Sequence, residues 1–157
     1  MPGINIIEGD KTISDARIAI VASRYNGYIV ERLIRGCTES LARAGVGADN
    51  ITLVRVPGAF ELPVVAGRLA RQKQYDAVIA LGAVIRGETP HFDYICNECA
   101  NGLARIAIKM DLPVIFGVLT VDNIGQAEDR SGEEESNKGS EAASTAIEMI
   151  SLLRKIG

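Results

Sequence analysis

The sequence predicts an α/β fold, a three-layer sandwich in which helices cover both faces of a four-stranded parallel sheet. Short apolar segments alternate along the chain with longer segments whose apolar residues recur at helical spacing. Such alternation is typical of parallel strands joined by crossover helices. The 157 residues, 47% of them hydrophobic, are enough for one core. We therefore expect a single domain over residues 1–157, with residues 1–14 as an extended N-terminal arm.

The first half of the chain contains two of the expected strands. Residues 16–22 form a short apolar run, which predicts the first strand. The first helix is expected over residues 28–44, where apolar residues share one helical face and Gly45 follows. Residues 51–56 alternate and are β-branched, which predicts the second strand. Residues 61–71 carry the apolar face of the second helix.

The second half of the chain completes the sheet. The third strand is expected over residues 77–81, because a continuous apolar run is typical of a strand covered on both faces. Residues 82–91 are expected to be irregular, followed by a helix from about residue 92 to residue 110. The remaining elements are a fourth strand over 112–119, a short helix near 124–129, an acidic linker over 131–136 and a last helix from about 137 to 155.

The composition excludes several classes of partner. The net charge of −3 and the 4% of aromatic residues, with no Trp, argue against a nucleic-acid-binding surface. The longest apolar run is too short to cross a bilayer, so we expect no membrane association. The three cysteines fit a reducing compartment, and the first ten residues do not resemble a signal peptide. We therefore expect a cytoplasmic protein.

The segment after the third strand offers one candidate anion site. Residues 82–89 have the spacing of a phosphate-binding loop, but Glu88 occupies the position where that motif needs Lys. A nucleoside triphosphatase is therefore disfavoured. A weaker interpretation is that Gly87 and Thr89 hold a small anion near a helix start, and the alternative is a plain turn.

Three other features have both a chemical and a structural interpretation. His91, the only histidine, could transfer protons at neutral pH, or it could be structural or exposed. Cys96 and Cys99 form a C-x-x-C pattern inside an expected helix, where inert thiols are the better interpretation. Arg130 lies among acidic residues and is either a phosphate clamp or part of a solvated turn. A single histidine without a carboxylate cluster predicts no metal site.

Five motifs match one known family in order and spacing. They are Arg24-Tyr25-Asn26, residues 56–63, residues 82–92, residues 116–120, and Arg130 followed by Asn137-Lys138-Gly139. On these motifs the chain resembles the lumazine synthase (6,7-dimethyl-8-ribityllumazine synthase) family from about Ile6 to its C-terminus. The resemblance implies a flavodoxin-like fold and no metal or other cofactor.

The resemblance also implies a reaction and its binding residues. Members condense 5-amino-6-(D-ribitylamino)uracil with 3,4-dihydroxy-2-butanone 4-phosphate and release phosphate and water, in the penultimate step of riboflavin biosynthesis. The implied contacts to the pyrimidine and its ribityl chain are Tyr25, Asn26, Ala59, Phe60, Glu61, Ala83, Val84, Ile85, Phe116 and Lys138. The implied phosphate contacts are Gly87, Glu88, Thr89 and Arg130. His91 would move protons, and Tyr25 stands where Phe or Trp is more usual.

The resemblance further implies an assembly. Phe116 and Arg130 would come from a neighbouring subunit, so that the site exists only in a homo-oligomer built from pentamers. Riboflavin synthase is an implied candidate partner. The short stretch from Arg130 to Asn137 favours the icosahedral capsid of the shell-forming members, whereas like charges at Glu133, Glu134 and Glu135 oppose it.

Two functions of other classes compete with the enzyme. The first is a non-catalytic flavin- or lumazine-binding module of the same fold, which would lack His91 or Arg130. The second is a phospho-acceptor receiver domain, which needs an acidic cluster at the strand ends that this sequence does not have. Because both His91 and Arg130 are present, the enzyme is favoured.

Overall fold

A computed structural model describes residues 2–157, and Met1, the first residue of the expected arm, lies outside the described residues. Four parallel strands form one sheet in the order β2-β1-β3-β4. This confirms the predicted sheet. The strands are β1 (Ile18–Ser23), β2 (Ile51–Val56), β3 (Ala77–Ile85) and β4 (Val114–Val121). Because β2 and β3 lie on opposite sides of β1, the direction of winding reverses between β1 and β3.

Helices cover both faces of this sheet, as expected. Within the described residues they are α1 (Gly27–Arg43), α2 (Leu62–Arg71), α3 (His91–Met110), α4 (Ile124–Arg130) and α5 (Lys138–Ile156). Short 3₁₀ turns occupy Ala48–Asn50, Ala59–Glu61 and Glu134–Ser136. The helices found between residues 2 and 157 are too short or too polar to span a bilayer.

The core consists of two apolar layers separated by the sheet. In β1 every residue is buried. Ile18, Ile20 and Ala22 pack with residues of α1 and α5, whereas Ala19 and Val21 pack with residues of α2 and α3. This alternation follows from the two-residue period of a strand. It confirms the three-layer sandwich.

The third strand is longer than its apolar pattern suggested, and the fourth is shifted along the chain by two residues. Residues 82–85, expected to be irregular, continue β3 because each pairs with a residue of β4, from Gly82 opposite Val118 to Ile85 opposite Val121. Ladder hydrogen bonds therefore outweigh the turn signal of Gly82. Correspondingly, β4 begins two residues later than expected and includes Thr120 and Val121.

The N-terminal segment contacts the C-terminal part of α5. No helix or strand occurs between Pro2 and Arg17, and the apolar side chains of Ile4, Ile6 and Ile7 are exposed. The Asp10 backbone N–H donates to Ser151 Oγ at 2.9 Å, and Lys155 Nζ lies 2.7 Å from Asp10 Oδ1. That lysine lowers the pKa of the Asp10 carboxyl.

The start of α5 is fixed against α1 by Asn137, which is buried. Its Oδ1 accepts hydrogen bonds from the N–H groups of Gly139 at 2.8 Å and Ser140 at 3.1 Å, as an N-cap residue does. Its Nδ2 donates to the carbonyl of Arg32 at 3.2 Å. A Cβ atom at Gly139 would collide with the Leu33 carbonyl, so glycine is needed where the two helices meet.

Candidate active site

A large cavity lies at the carboxyl ends of β1 and β3, where the winding of the sheet reverses. In open α/β sheets this switch point is where ligands bind. The cavity is an open groove of about 780 Å³. Its lining residues are Tyr25, Asn26, Pro57, Gly58, Ala59, Phe60, Glu61, Ala83, Val84, Ile85, Gly87, Thr89, His91, Phe92 and Ile95. Most of the binding residues implied by the resemblance therefore meet in one place.

The turn after β1 is held to both neighbouring strands. Asn26 adopts a left-handed conformation with φ of 59°, which asparagine tolerates better than most residues. Its Nδ2 donates to the Ala83 carbonyl of β3 at 2.8 Å. On the other side, the Tyr25 N–H donates to the Pro57 carbonyl at 3.0 Å. The backbone that carries Tyr25 is therefore fixed, while its side chain is 74% exposed.

The second wall of the groove is the turn after β2. The Glu61 Oε2 atom accepts a hydrogen bond from the Gly58 N–H at 3.1 Å, which closes this turn. A carboxylate has several lone pairs, so Glu61 can still accept hydrogen bonds from ligand hydroxyl groups. Phe60 is 57% exposed beside it and offers an apolar ring face. Exposed aromatic rings on two walls suit a flat heterocycle.

The third wall is the loop between β3 and α3, where His91 is the first helical residue. The first turn of a helix leaves backbone N–H groups free and carries partial positive charge, both of which favour an anion. No atom lies within 4 Å of the position that a Cβ on Gly87 would occupy, so the space beside its backbone is open. His91 is exposed next to this space. The helix start predicted near His91 is confirmed.

Glu88 belongs to the same loop but does not line the groove. Its side chain is exposed. The expectation that Glu88 contacts the phosphate came from the resemblance alone. Within one chain its neighbours Gly87 and Thr89 line the groove, whereas Glu88 does not.

Arg86 stabilises this loop, a role that sequence reasoning missed. Its Nε lies 2.9 Å from Asp122 Oδ1, its Nη1 lies 3.5 Å from Asp93 Oδ1, and its guanidinium carbon lies 4.4 Å from the centroid of the Phe92 ring. The hydrogen bond with Asp122 is the main cause of the raised pKa of Arg86. The sequence did contain a signal for this contact, because Arg86 directly follows β3 and Asp122 directly follows the adjacent strand β4.

The groove contains no Lys or Arg among its lining residues within the part of the chain that the structure describes. Arg86 is nearby, but two carboxylates already pair with it. Within this chain, an anion bound at Gly87 and Thr89 would therefore be stabilised by the helix dipole of α3 and by backbone N–H groups. It would find no free side-chain cation on the groove wall.

Three of the implied site residues lie elsewhere. Phe116 and Lys138 line a separate cavity of about 400 Å³ between β4 and the start of α5. Lys138 Nζ is 2.7 Å from Glu141 Oε2. Arg130 ends α4, is exposed, and donates from Nη1 to the Gln126 carbonyl at 3.1 Å. One chain alone does not bring these side chains to the groove.

The two thiols of the C-x-x-C pattern lie in the middle of α3, as expected. Cys99 is buried, and burial raises its pKa to about 11. Burial also raises the pKa of Cys96. Both thiols are therefore protonated at neutral pH, which supports the interpretation that they are inert. In residues 2–157 no three His, Cys, Asp or Glu side chains are grouped to hold a metal ion.

A family model described as 6,7-dimethyl-8-ribityllumazine synthase matches residues 15–154. The match covers every strand and helix from β1 to α4 and all but the last two residues of α5.

Proposed function

Because the chain belongs to the 6,7-dimethyl-8-ribityllumazine synthase family, whose members are transferases that make lumazine in riboflavin biosynthesis, we propose a specific reaction for it. The protein condenses 5-amino-6-(D-ribitylamino)uracil with 3,4-dihydroxy-2-butanone 4-phosphate. The products are 6,7-dimethyl-8-ribityllumazine, phosphate and water. The groove at the switch point is the observation that carries this proposal, because it joins an aromatic pair, a carboxylate, a helix N-terminus and a histidine.

The pyrimidine occupies the part of the groove between the turns after β1 and β2. Its ring lies against Tyr25 and Phe60, whose exposed side chains line that part. Backbone groups of β3 at Val84 and Ile85 pair with its polar edge, while Ala83 already accepts from Asn26. Glu61 accepts hydrogen bonds from the ribityl hydroxyl groups.

The phosphate of the second substrate occupies the open space beside Gly87 and Thr89, at the start of α3. The 5-amino group of the pyrimidine attacks the ketone, and water leaves to give an imine. The carbon beside the imine then loses a proton as phosphate leaves, and the resulting enol becomes a ketone. The ribitylamino nitrogen attacks this ketone, and loss of a second water closes the ring. His91 moves protons in these steps, and its exposure gives it contact with water. Because an amine and a ketone react without strong activation, most of the rate enhancement comes from positioning.

The missing cation comes from a second copy of the chain. A phosphate needs a charge-assisted partner, and the groove wall offers none in one chain. Arg130 is exposed and lies apart from its own groove. We therefore propose that Arg130, with Phe116 and Lys138, completes the groove of a neighbouring subunit. Closed rings of five subunits would give each groove one such neighbour.

The test is direct. The two substrates are mixed with the protein, and the absorbance and green fluorescence of the lumazine product are followed together with phosphate release. A rate well above that of the protein-free mixture is expected, with and without a chelator. Saturable binding of the pyrimidine without any acceleration would instead support a non-catalytic binding module.

A further inference from the structure

The helix that carries Arg130 has little apolar anchoring. Helix α4 has seven residues, and Ala127 is its buried side chain. Ile124, at its first position, is 49% exposed. A helix this short is not stable by itself. The position of Arg130 must therefore depend on polar contacts at the two ends of α4.

The first end of α4 is held by local contacts. Asn123 caps the helix, since its Oδ1 accepts from the Gln126 N–H at 2.9 Å. Gln126 Oε1 in turn accepts from the Asp122 N–H at 2.8 Å. Both contacts lie more than a helical turn away from Arg130, and neither fixes the last turn.

The last turn has two local hydrogen bonds, from Ser131 Oγ to the Ala127 carbonyl at 2.8 Å and from Asn137 Nδ2 to the Gly132 carbonyl at 3.1 Å. From another helix it is held by Arg32 of α1. Its Nε donates to the Ser131 carbonyl at 2.9 Å, and its Nη2 donates to the Glu128 carbonyl at 3.3 Å. Its Nη1 donates to the Tyr28 hydroxyl at 2.9 Å, which fixes the direction of the guanidinium plane. The two carbonyl groups lie on either side of Arg130 in the sequence.

These contacts suit a guanidinium in particular. The carbonyl groups at the end of a helix carry partial negative charge and lack helical partners. A planar fork of donors can bind two of them and a hydroxyl at once, whereas an ammonium group cannot reproduce that geometry. Arg32 is half-buried, so water competes less for these carbonyl groups than at a fully exposed site.

We propose that Arg32 is the positioning residue for Arg130. It fixes the backbone on both sides of Arg130, so that this guanidinium is directed at the phosphate bound by the neighbouring subunit. Arg32 does not itself contact substrate. The inference rests on the proposed function, and it adds to that function a residue that raises the affinity for the phosphate-bearing substrate by positioning Arg130.

The experiment compares Arg32→Ala, Arg32→Lys and the control Arg35→Ala in the full-length protein. Arg35 lies three residues further along α1, is exposed, and forms no salt bridge within residues 2–157. The Michaelis constants for both substrates are measured, as is inhibition by inorganic phosphate. Light scattering checks that each variant keeps the mass of the wild-type assembly.

For Arg32→Ala we expect the Michaelis constant of the butanone phosphate and the inhibition constant of inorganic phosphate to rise about tenfold, the loss expected for a weakened charge-assisted contact. The Michaelis constant of the pyrimidine should change less than about twofold. Arg32→Lys should be intermediate, because it keeps the charge and loses the fork. Arg35→Ala should match the wild type.

Several results would overturn the proposal. Unchanged constants for the phosphate-bearing ligands in Arg32→Ala would do so, as would equal increases for both substrates or an equal effect of Arg35→Ala. If Arg32→Ala does not fold or assemble, Arg32→Lys decides, and a wild-type phosphate inhibition constant in that variant refutes the role. A wild-type protein that binds phosphate but makes no lumazine contradicts the proposed reaction, and the phosphate arm still tests Arg32.

Discussion

Arg130 and His91 make different contributions to the proposed reaction. We expect Arg130→Ala to lower kcat/KM for the butanone phosphate about 100-fold, because a charge-assisted phosphate contact is worth about 1.5–3 kcal/mol and nothing replaces it. His91→Ala should cost about tenfold. His91 is exposed, so water can substitute in part for its proton transfer. Steady-state kinetics at saturating pyrimidine measures both variants.

The two roles are misassigned if His91→Ala is inactive while Arg130→Ala is nearly normal. Arg105→Ala serves as a matched control for the loss of a surface arginine. It lies on α3 and is exposed, and its kinetic constants should remain those of the wild type.

The buried thiols should make stability fall at high pH. Burial raises the pKa of Cys37 to about 12 and that of Cys99 to about 11. Above about pH 8.5 the unfolded chain loses these protons while the folded chain keeps them, so the free energy of unfolding falls by at most about 1.4 kcal/mol per pH unit and thiol. Urea unfolding of wild type and of Cys37→Ala at pH 7, 9 and 10 measures the difference between their free energies of unfolding, and the wild type should lose more stability as the pH rises. A pH-independent difference would contradict the expectation.

Single residues divide into those that the sequence could identify and those that it could not. Tyr25, Asn26 and His91 follow strands in the sequence, and parallel strands bring their carboxyl ends to one edge, so their meeting could be predicted. The contacts of Arg86 with Asp122 and of Arg32 with Ser131 depend on how distant segments pack. Neither periodicity nor spacing encodes such packing.

At the level of elements, the contact between α1 and α5 leaves no room for a side chain at Gly139. We expect Gly139→Ala to destabilise the protein by about 1–3 kcal/mol, since its Cβ would collide with the Leu33 carbonyl. Gly47→Ala is the control, because no atom lies within 4 Å of its Cβ position and its φ is −70°. Urea or thermal unfolding measures both. Equal stability of the two variants would contradict this account of the contact.

The elements themselves were largely predictable, with one instructive exception. The apolar face of α1 placed Ile29, Leu33 and Leu41 in the core, where they are buried. In β3, however, the phosphate-loop spacing of residues 82–89 favoured an irregular segment from Gly82 onwards. The true length of β3 depends on its pairing with β4, which a local pattern does not contain.

At the level of the whole molecule, we expect an icosahedral capsid built from pentamers. The segment between Arg130 and α5 is short, and one of its three glutamates, Glu134, pairs with Arg43 at 2.7 Å, which reduces the repulsion between like charges. Light scattering and electron microscopy at moderate salt measure the particle mass. Particles of pentamer or decamer mass at every salt and phosphate concentration would rule out the capsid. A catalytically competent monomer would contradict the shared site.

The distance between Arg130 and its own groove has a genetic consequence. If each working site joins His91 of one polypeptide to Arg130 of the next, two alleles that are each defective can complement one another. Randomly mixed rings of His91→Ala and Arg130→Ala chains would contain both intact residues at about a quarter of their sites, given cyclic neighbours. Refolding the two defective proteins together should therefore raise the rate averaged over all sites to about a quarter of the wild-type value, above the rate of either variant alone.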